Sequence, residues 1–296
     1  MKLFIRKYNK KRNRIVITLL GFIKISYRND YCALKKEIAT LRKFLSLSTD
    51  ITKLPKADGK LREHQLKVYE LLSIVDELCR KNNLKYWLDG GSLLGAVRHR
   101  GFVPWDNDAD LCMVRQDYYK LLPLLKEYFK DSEEYMVREK AIIGHSYQIR
   151  IMKKKKRSLG IDIFPVGTYS KGNLTNEERK KITAEIRKTR NIFDKEVRHN
   201  EKTIEEIREE IAQREKKYIL HNETPLKNEP ALYAGIDFEW GARYQIWNWD
   251  TIFPLQEIQF EDKYFYCPND FDTYLKDLYG NYMTYPTELS TEGYRF

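Results

Sequence analysis

The segment YWLDGGSLLGAVRHRGFVPWDNDADLCM, Tyr86–Met113, constrains this chain more than any other, because it holds four carboxylates, three of them within DNDAD. Two unit charges about 4 Å apart repel by about 4 kcal/mol at an effective dielectric of about 20. Acids this close need a compensating cation or shared protons. The acidic run leads into DADLCM (108–113), which alternates polar and apolar residues. As a strand it sets Asp108 and Asp110 on one face, with Ala109, Leu111 and Met113 on the opposite, core-facing side. Upstream, KYWLD (85–89) reads as a second strand and Gly90-Gly91 as a tight turn. Ser92 is the expected N-cap of a helix through LLGAVRH.

Two parallel carboxylates make a hard oxygen site suited to Mg²⁺ or Mn²⁺, ions that commonly bridge protein acids and substrate phosphates. Asp162 is the candidate third acid. It sits between Ile161 and Ile163 in GIDIF, where a carboxylate is costly unless paired or metal-bound; a hydrogen-bonded structural Asp is the plainer alternative. The preceding turn complements the acids. Gly90 and Gly91 allow close backbone approach to a ligand, Ser92 starts a helix whose free N–H groups attract phosphate, and Arg98 can hold phosphate oxygens. Trp105, beside the acids, is a substrate-binding candidate or plain core. A glycine-serine turn, a helix and a strand bearing D-x-D, in that order, resemble the nucleotidyltransferase arrangement of polymerase beta-type enzymes. The expected fold is α+β, a mixed sheet core with flanking helices.

Around this segment the periodicity is clear. Leu34, Ile38, Leu41 and Leu45 recur at helical spacing, TKLPKADGK (52–60) reads as a linker, and Leu61, Val68, Leu71, Leu72, Val75 and Leu78 form one helical face. DYYKLLPLLKEYF is helical, although Pro123 should begin, kink or break a segment. SYQIRIM and LGIDIFPV form a hairpin joined through KKKKRS. From Thr175 a charged helical insertion follows, with capping boxes at Thr175–Glu178 and Thr203–Glu206. A second hairpin, EIQFEDKYFYCP, precedes a helix through YLKDLYG. The organisation is a basic extension over 1–53 and a catalytic domain over 54–296, with 170–230 as the insertion.

The chain has 296 residues, a net charge of +11 and 21 tyrosines. Its four cysteines, Cys32, Cys79, Cys112 and Cys267, are scattered without a CxxC, which argues against a zinc knuckle or disulfide framework and suits a reducing compartment. The basic excess favours anionic partners: nucleic acid, anionic lipid or phosphate-bearing substrates. No aromatic-plus-basic recognition motif supports a nucleic-acid-binding module, the reading from another functional class. IVITLLGFI (15–23), flanked by basic residues, is too short to cross a bilayer and lacks a cleavage site behind it. It reads either as a buried strand or short helix, or as an attachment to an anionic membrane surface. The expected location is cytoplasmic, with peripheral binding to the inner face of the membrane. KKKKR (153–157) is a solvated hairpin tip or a guide for anions. His99 reads as exposed, and His64, His145, His199 and His221 as structural or surface residues. Trp240, Trp247 and Trp249, with Tyr233 and Tyr244, either pack plainly or form an aromatic box for a quaternary ammonium.

The segment from Leu54 to Met113, together with IDIFPV (161–166) and PNDFDTYLKDLYGNYMTYP (268–286), resembles the LicD/fukutin family of phosphocholine and ribitol-phosphate transferases. The resemblance implies a nucleotidyltransferase-like fold and divalent-metal catalysis. It carries metal binding to Asp108 and Asp110, with Asp162 as third carboxylate and Asp106 as the outer acid of the cluster. Asn107 departs from the family, where that position is often acidic; tuning rather than loss of metal is expected. The implied reaction moves phosphocholine, or a related phospho-alcohol, from CDP-choline or another CDP-alcohol to a hydroxyl of a cell-surface glycan or glycolipid, releasing CMP. Within the same fold, the rival is a true nucleotidyltransferase that leaves the nucleotide on its acceptor.

Overall fold

The structure, a computed structural model, describes residues 4–9, 14–19, 23–28, 40, 50–142, 145–154, 160–169, 174–184, 206, 209, 213, 231–234 and 246–285. The chain divides into two compact units, Met1–Lys53 with Met283–Thr291, and Leu54–Tyr282 with Glu292–Phe296. Several expectations lie outside the described residues: most of the helix over 33–47, the second capping box, most of the insertion, and Trp240 and Tyr244.

In the first unit, β1 (Phe4–Asn9), β2 (Arg14–Leu19) and β3 (Ile23–Arg28) form an antiparallel three-stranded sheet. The apolar run of residues 15–23 is therefore strand where it is described. No helix among the described residues is long and apolar enough to cross a membrane.

The second unit is α+β. Helix α1 (Gly59–Lys81) follows the linker, then β4 (Tyr86–Leu88), α2 (Gly90–His99), β5 (Ala109–Val114) and α3 (Arg115–Tyr128). Next come β6 (Tyr135–Ile142), β7 (His145–Lys153), β8 (Gly160–Tyr169), β9 (Ala231–Ala234) and β10 (Ile246–Trp247). The unit closes with α4 (Trp249–Ile252), the hairpin β11 (Gln256–Phe260) and β12 (Lys263–Cys267), and α5 (Phe271–Tyr279). Strands β4–β10 make one seven-stranded mixed sheet. Its centre is the parallel pair β5–β8, with β4 antiparallel beside β5. Strand β8 pairs antiparallel with β7 through residues 160–163 and with β9 through residues 166–169.

Apolar periodicity explains how the helices cover this sheet. Val68, Leu71, Leu72 and Val75 of α1 are fully buried, as are Leu121 and Leu125 of α3. Both helices pack against β5 and β8. Burying residues of this size contributes about 1.5–3 kcal/mol each, so the sheet is covered mainly by aliphatic packing. The three described cysteines, Cys79, Cys112 and Cys267, are buried and unpaired.

Three local expectations change. Helix α3 runs through Pro123 instead of breaking there. Strand β5 is buried on both faces, since Cys112 is as enclosed as Leu111 and Met113; Asp110 therefore shares its face with a buried thiol. Tyr135–Ile142, to which the sequence pattern assigns no element, is the edge strand β6, its charged Arg138 and Glu139 obscuring the alternation. The first capping box forms as its spacing predicts: Glu178 N–H donates to Thr175 Oγ1 at 3.3 Å, and Thr175 N–H to Glu178 Oε2 at 2.9 Å.

Candidate active site

Strand register assembles the acids. In the parallel pair, Asp110 of β5 lies directly opposite Asp162 of β8, so residues far apart in sequence project side by side from one face. Asp108 immediately precedes β5 and completes the group: one carboxylate oxygen from each of Asp108, Asp110 and Asp162 lies within 4.8 Å of the others. Asp110 is 5% and Asp162 7% exposed. Burial pushes the Asp110 carboxyl well above the usual range, and the neighbouring Asp108, Asp162, Asp89 and Asp106 push it further. A half-buried cluster of carboxylate oxygens is the donor set that hard divalent cations take. Such an ion relieves both the burial of charge and the mutual repulsion.

Asp106 stands at the rim. Its Oδ1 accepts the Asn107 N–H at 3.0 Å. Burial, followed by the charge and hydrogen bond of Asp108, holds its carboxyl well above the usual range. Its carboxylate lies so close to Gly91 that a Cβ there would overlap it. Gly90 adopts φ +50°, a left-handed conformation that favours glycine, and a Cβ on it would meet Asp110 Oδ2 at 3.4 Å and Tyr279 Oη at 3.5 Å. Both glycines thus bring the first turn of α2 against the acids, where N–H groups lacking intrahelical partners gather.

The N-cap of α2 is Asp89, not Ser92, because the helix begins at Gly90, three residues earlier than the serine pattern predicts. Ser92 Oγ instead accepts the N–H of Asp110 at 2.9 Å, tying helix to strand at the acid itself. Asp89, the fourth carboxylate of the segment, is buried behind them. It accepts a hydrogen bond from Tyr274 Oη at 2.5 Å, and burial raises its carboxyl above the usual range despite that bond.

Arg98 is buried on the same helix, facing Tyr279 and Tyr282, and its pKa is lowered by that burial. Trp105 is half-buried in the loop before Asp106. That loop is held from α1: Gln65 Nε2 donates to Asp106 O at 2.9 Å and to Val103 O at 3.3 Å, and His64 Nε2 lies 2.8 Å from Asn107 O. His99 is not exposed. The left-handed turn at Arg100 folds the chain back, leaving both ring nitrogens enclosed without hydrogen-bond partners, and burial lowers its pKa.

The aromatic box loses its central member. Trp247 is 3% exposed and stacks on Tyr274 at 4.3 Å, so its ring belongs to the core, and Trp249 packs on Phe253. Of the basic run, Lys153 pairs with Glu134, and Lys154 Nζ donates to Ser132 O at 2.7 Å. These two lysines are tied to the start of β6.

Residues that sequence reasoning does not single out complete the surroundings. Arg150 of β7 faces Asp162 across the antiparallel pair and lies 3.3 Å from its Oδ2. Tyr279, at the end of α5, reaches the neighbourhood of Gly90 and Asp110. Only the cross-strand register and the docking of α5 reveal them.

The fold and this carboxylate group define an α+β protein with a site built for charge. Residues 83–205 match the family model described as LicD/FKTN/FKRP, nucleotidyltransferase domain. Strands β4, β5 and β8, and thus all the acids, fall inside that span. The chain is 33% identical over 117 residues to the lipopolysaccharide cholinephosphotransferase LicD of Haemophilus influenzae, covering 35% of this chain and 43% of that protein. It is 36% identical over 84 residues to the human ribitol 5-phosphate transferase FKRP, covering 28% of this chain and 17% of that protein. An uncharacterized protein of Rickettsia prowazekii is 38% identical over 85 residues, 29% of this chain and 31% of that protein. The chain thus spans less than half the length of each of these relatives. Over residues 83–205 the chain is therefore similar to the LicD/FKTN/FKRP family.

Proposed function

We propose that this protein is a metal-dependent transferase of phospho-alcohols, phosphocholine first, from a CDP-activated donor to a hydroxyl of a cell-surface glycan. The observation that carries the reading is the convergence of Asp108, Asp110 and Asp162 within 4.8 Å, beside the glycine turn of α2. The similarity to a lipopolysaccharide cholinephosphotransferase supports it. We read the domain as nucleotidyltransferase-like, catalytic over residues 54–296, with residues 1–53 as an extension that meets an anionic membrane surface at the cytoplasmic face.

In this reading Asp108, Asp110 and Asp162 hold Mg²⁺ or Mn²⁺, with Asp106 as outer acid. A bound divalent cation supplies charge neutralisation at the donor pyrophosphate and at the departing nucleotide. Gly90 and Gly91 let the first turn of α2 approach the phosphates, Ser92 fixes Asp110, and Arg98 and Trp105 border the donor. The acceptor oxygen bonds to the phosphorus carrying the alcohol, the bond from that phosphorus to the CMP oxygen breaks, and CMP leaves. The hydroxyl proton passes to a carboxylate of the group, with Asp162 as the candidate.

Ribitol phosphate is the second choice of cargo. The burial of Trp247 removes one aromatic face from the choline argument, and the similarity to a ribitol 5-phosphate transferase favours a polyol. The test is an assay of CMP release from CDP-choline, CDP-ribitol and CDP-glycerol with a glycan acceptor and Mg²⁺. CDP-choline should be consumed fastest, and EDTA should abolish release. Turnover of CDP-ribitol or CDP-glycerol without CDP-choline overturns the choice of choline, and metal-independent turnover overturns the mechanism.

A further inference from the structure

Four neighbouring strands carry one row of charged residues on a single face: Asp110 on β5, Asp162 on β8, Arg150 on β7 and Arg138 on β6, each opposite the next. Directly opposed like charges destabilise a sheet pair, so Asp110 against Asp162, whenever both are ionised, and Arg138 against Arg150 are unfavourable contacts. The ion pair between Arg150 Nη1 and Asp162 Oδ2, 3.3 Å apart, sits where the two meet and compensates each. Arg138 is exposed and can turn to water, whereas the Arg150 side chain is only 20% exposed. A guanidinium beside a carboxylate neutralises it without filling the space between the acids.

From this placement we infer that Arg150 is the resident counter-ion of the acidic site and a positioning residue for Asp162: it sustains the cluster before a divalent cation enters and competes with that cation for Asp162. The inference rests on the metal reading of the site. It assigns Arg150 a property that plain structural support would not give it. Removing the charge should destabilise the metal-free protein and at the same time tighten its hold on metal, two effects of opposite sign. A guanidinium within one strand spacing of a divalent ion repels it, and losing that repulsion is worth about tenfold in affinity after solvent screening.

The experiment is titration of the metal-free full chain with Mn²⁺, followed by electron paramagnetic resonance, for wild type, Arg150→Gln, Arg150→Lys and Asp108→Asn, with melting temperatures recorded in EDTA. The expected result is a site that depends on Asp108 and binds Mn²⁺ about tenfold more tightly in Arg150→Gln. Arg150→Lys, which keeps the charge, should stay within about twofold of wild type, since the repulsion on the ion is of charge origin. Arg150→Gln should melt lower than wild type in EDTA. Asp108-dependent binding that is unchanged or weaker in Arg150→Gln overturns the inference while leaving the metal reading intact. Mn²⁺ binding that is the same with and without Asp108 removes the metal reading and this inference with it. Arg150→Met, which also removes the charge, carries the comparison if the glutamine variant fails to fold: tighter Asp108-dependent Mn²⁺ binding than wild type supports the inference, and unchanged or weaker binding overturns it.

Discussion

Asp110 shows what this site costs and what it is for. Its carboxyl is raised well above the ordinary range by burial and by four neighbouring acids, so the native state holds a proton that the unfolded chain releases near pH ~4. Stability from this group is therefore fully present below about pH 4 and is lost as pH rises through the folded-state value. Asp110→Asn, which carries no charge to desolvate, should raise the melting temperature of the EDTA-treated protein at neutral pH and flatten the fall in stability above about pH 4. The same substitution should reduce turnover on the order of a thousandfold, because transition-state charge stabilisation is lost. Thermal melts over a pH series and a CMP-release assay check both halves. A destabilised variant with near-normal turnover would contradict this assignment of Asp110. Asp106, also raised by burial and by Asp108, should follow Asp110 in stability.

Among the elements, the β11–β12 hairpin steers the acidic loop from a distance. Glu261, at its tip, accepts hydrogen bonds from Lys56 Nζ at 2.5 Å and from Arg62 at 2.8 and 2.7 Å. Arg62 also reaches Gln65, which holds Asp106 and Val103 by their carbonyls. Burial works to raise the Glu261 pKa, but Arg62 and Lys56 override it and leave the carboxyl below the ordinary range. Its contribution to stability is present above about pH 4.5 and lost as pH falls through the lowered value. Glu261→Gln should cost about 2 kcal/mol at neutral pH, far less in acid, measured by urea denaturation at the two pH values. Equal losses at both would contradict the charged pairing. At the other end of the chain, deleting residues 1–30 should weaken binding to anionic vesicles and spare transfer to a soluble acceptor; equal vesicle binding by the full and shortened chains would dispose of the membrane role. The elements were readable to different degrees for physical reasons. Helix α1 and strand β5 follow from local periodicity, and GIDIF exposes Asp162 because an acid among isoleucines stands out. Arg150 and Tyr279 do not stand out, because hairpin register and helix docking are long-range properties. Ser92 misplaces the start of α2 because the conformation of Gly90, not a side-chain cap, begins the helix.

At the scale of the whole molecule, the proposed function has the basic excess and the acidic site divide the work of meeting phosphate. A net charge of +11 favours anionic ligands and surfaces in general, while on the metal reading proposed above the local cluster would take up a cation before a phosphate approaches. A protein organised this way should be strictly metal-dependent and should release a nucleotide monophosphate rather than retain the nucleotide. The description of the matching family domain as a nucleotidyltransferase keeps the rival chemistry in view. The most direct measurement is ³¹P NMR of the full chain with Mg²⁺, a CDP-alcohol series and a glycan acceptor, run alongside a nucleoside triphosphate. CMP and a new glycan phosphodiester should appear one for one, and EDTA should stop both. Untouched CDP-alcohols, with pyrophosphate released from the nucleoside triphosphate and the nucleotide left on the acceptor, would contradict the proposed function.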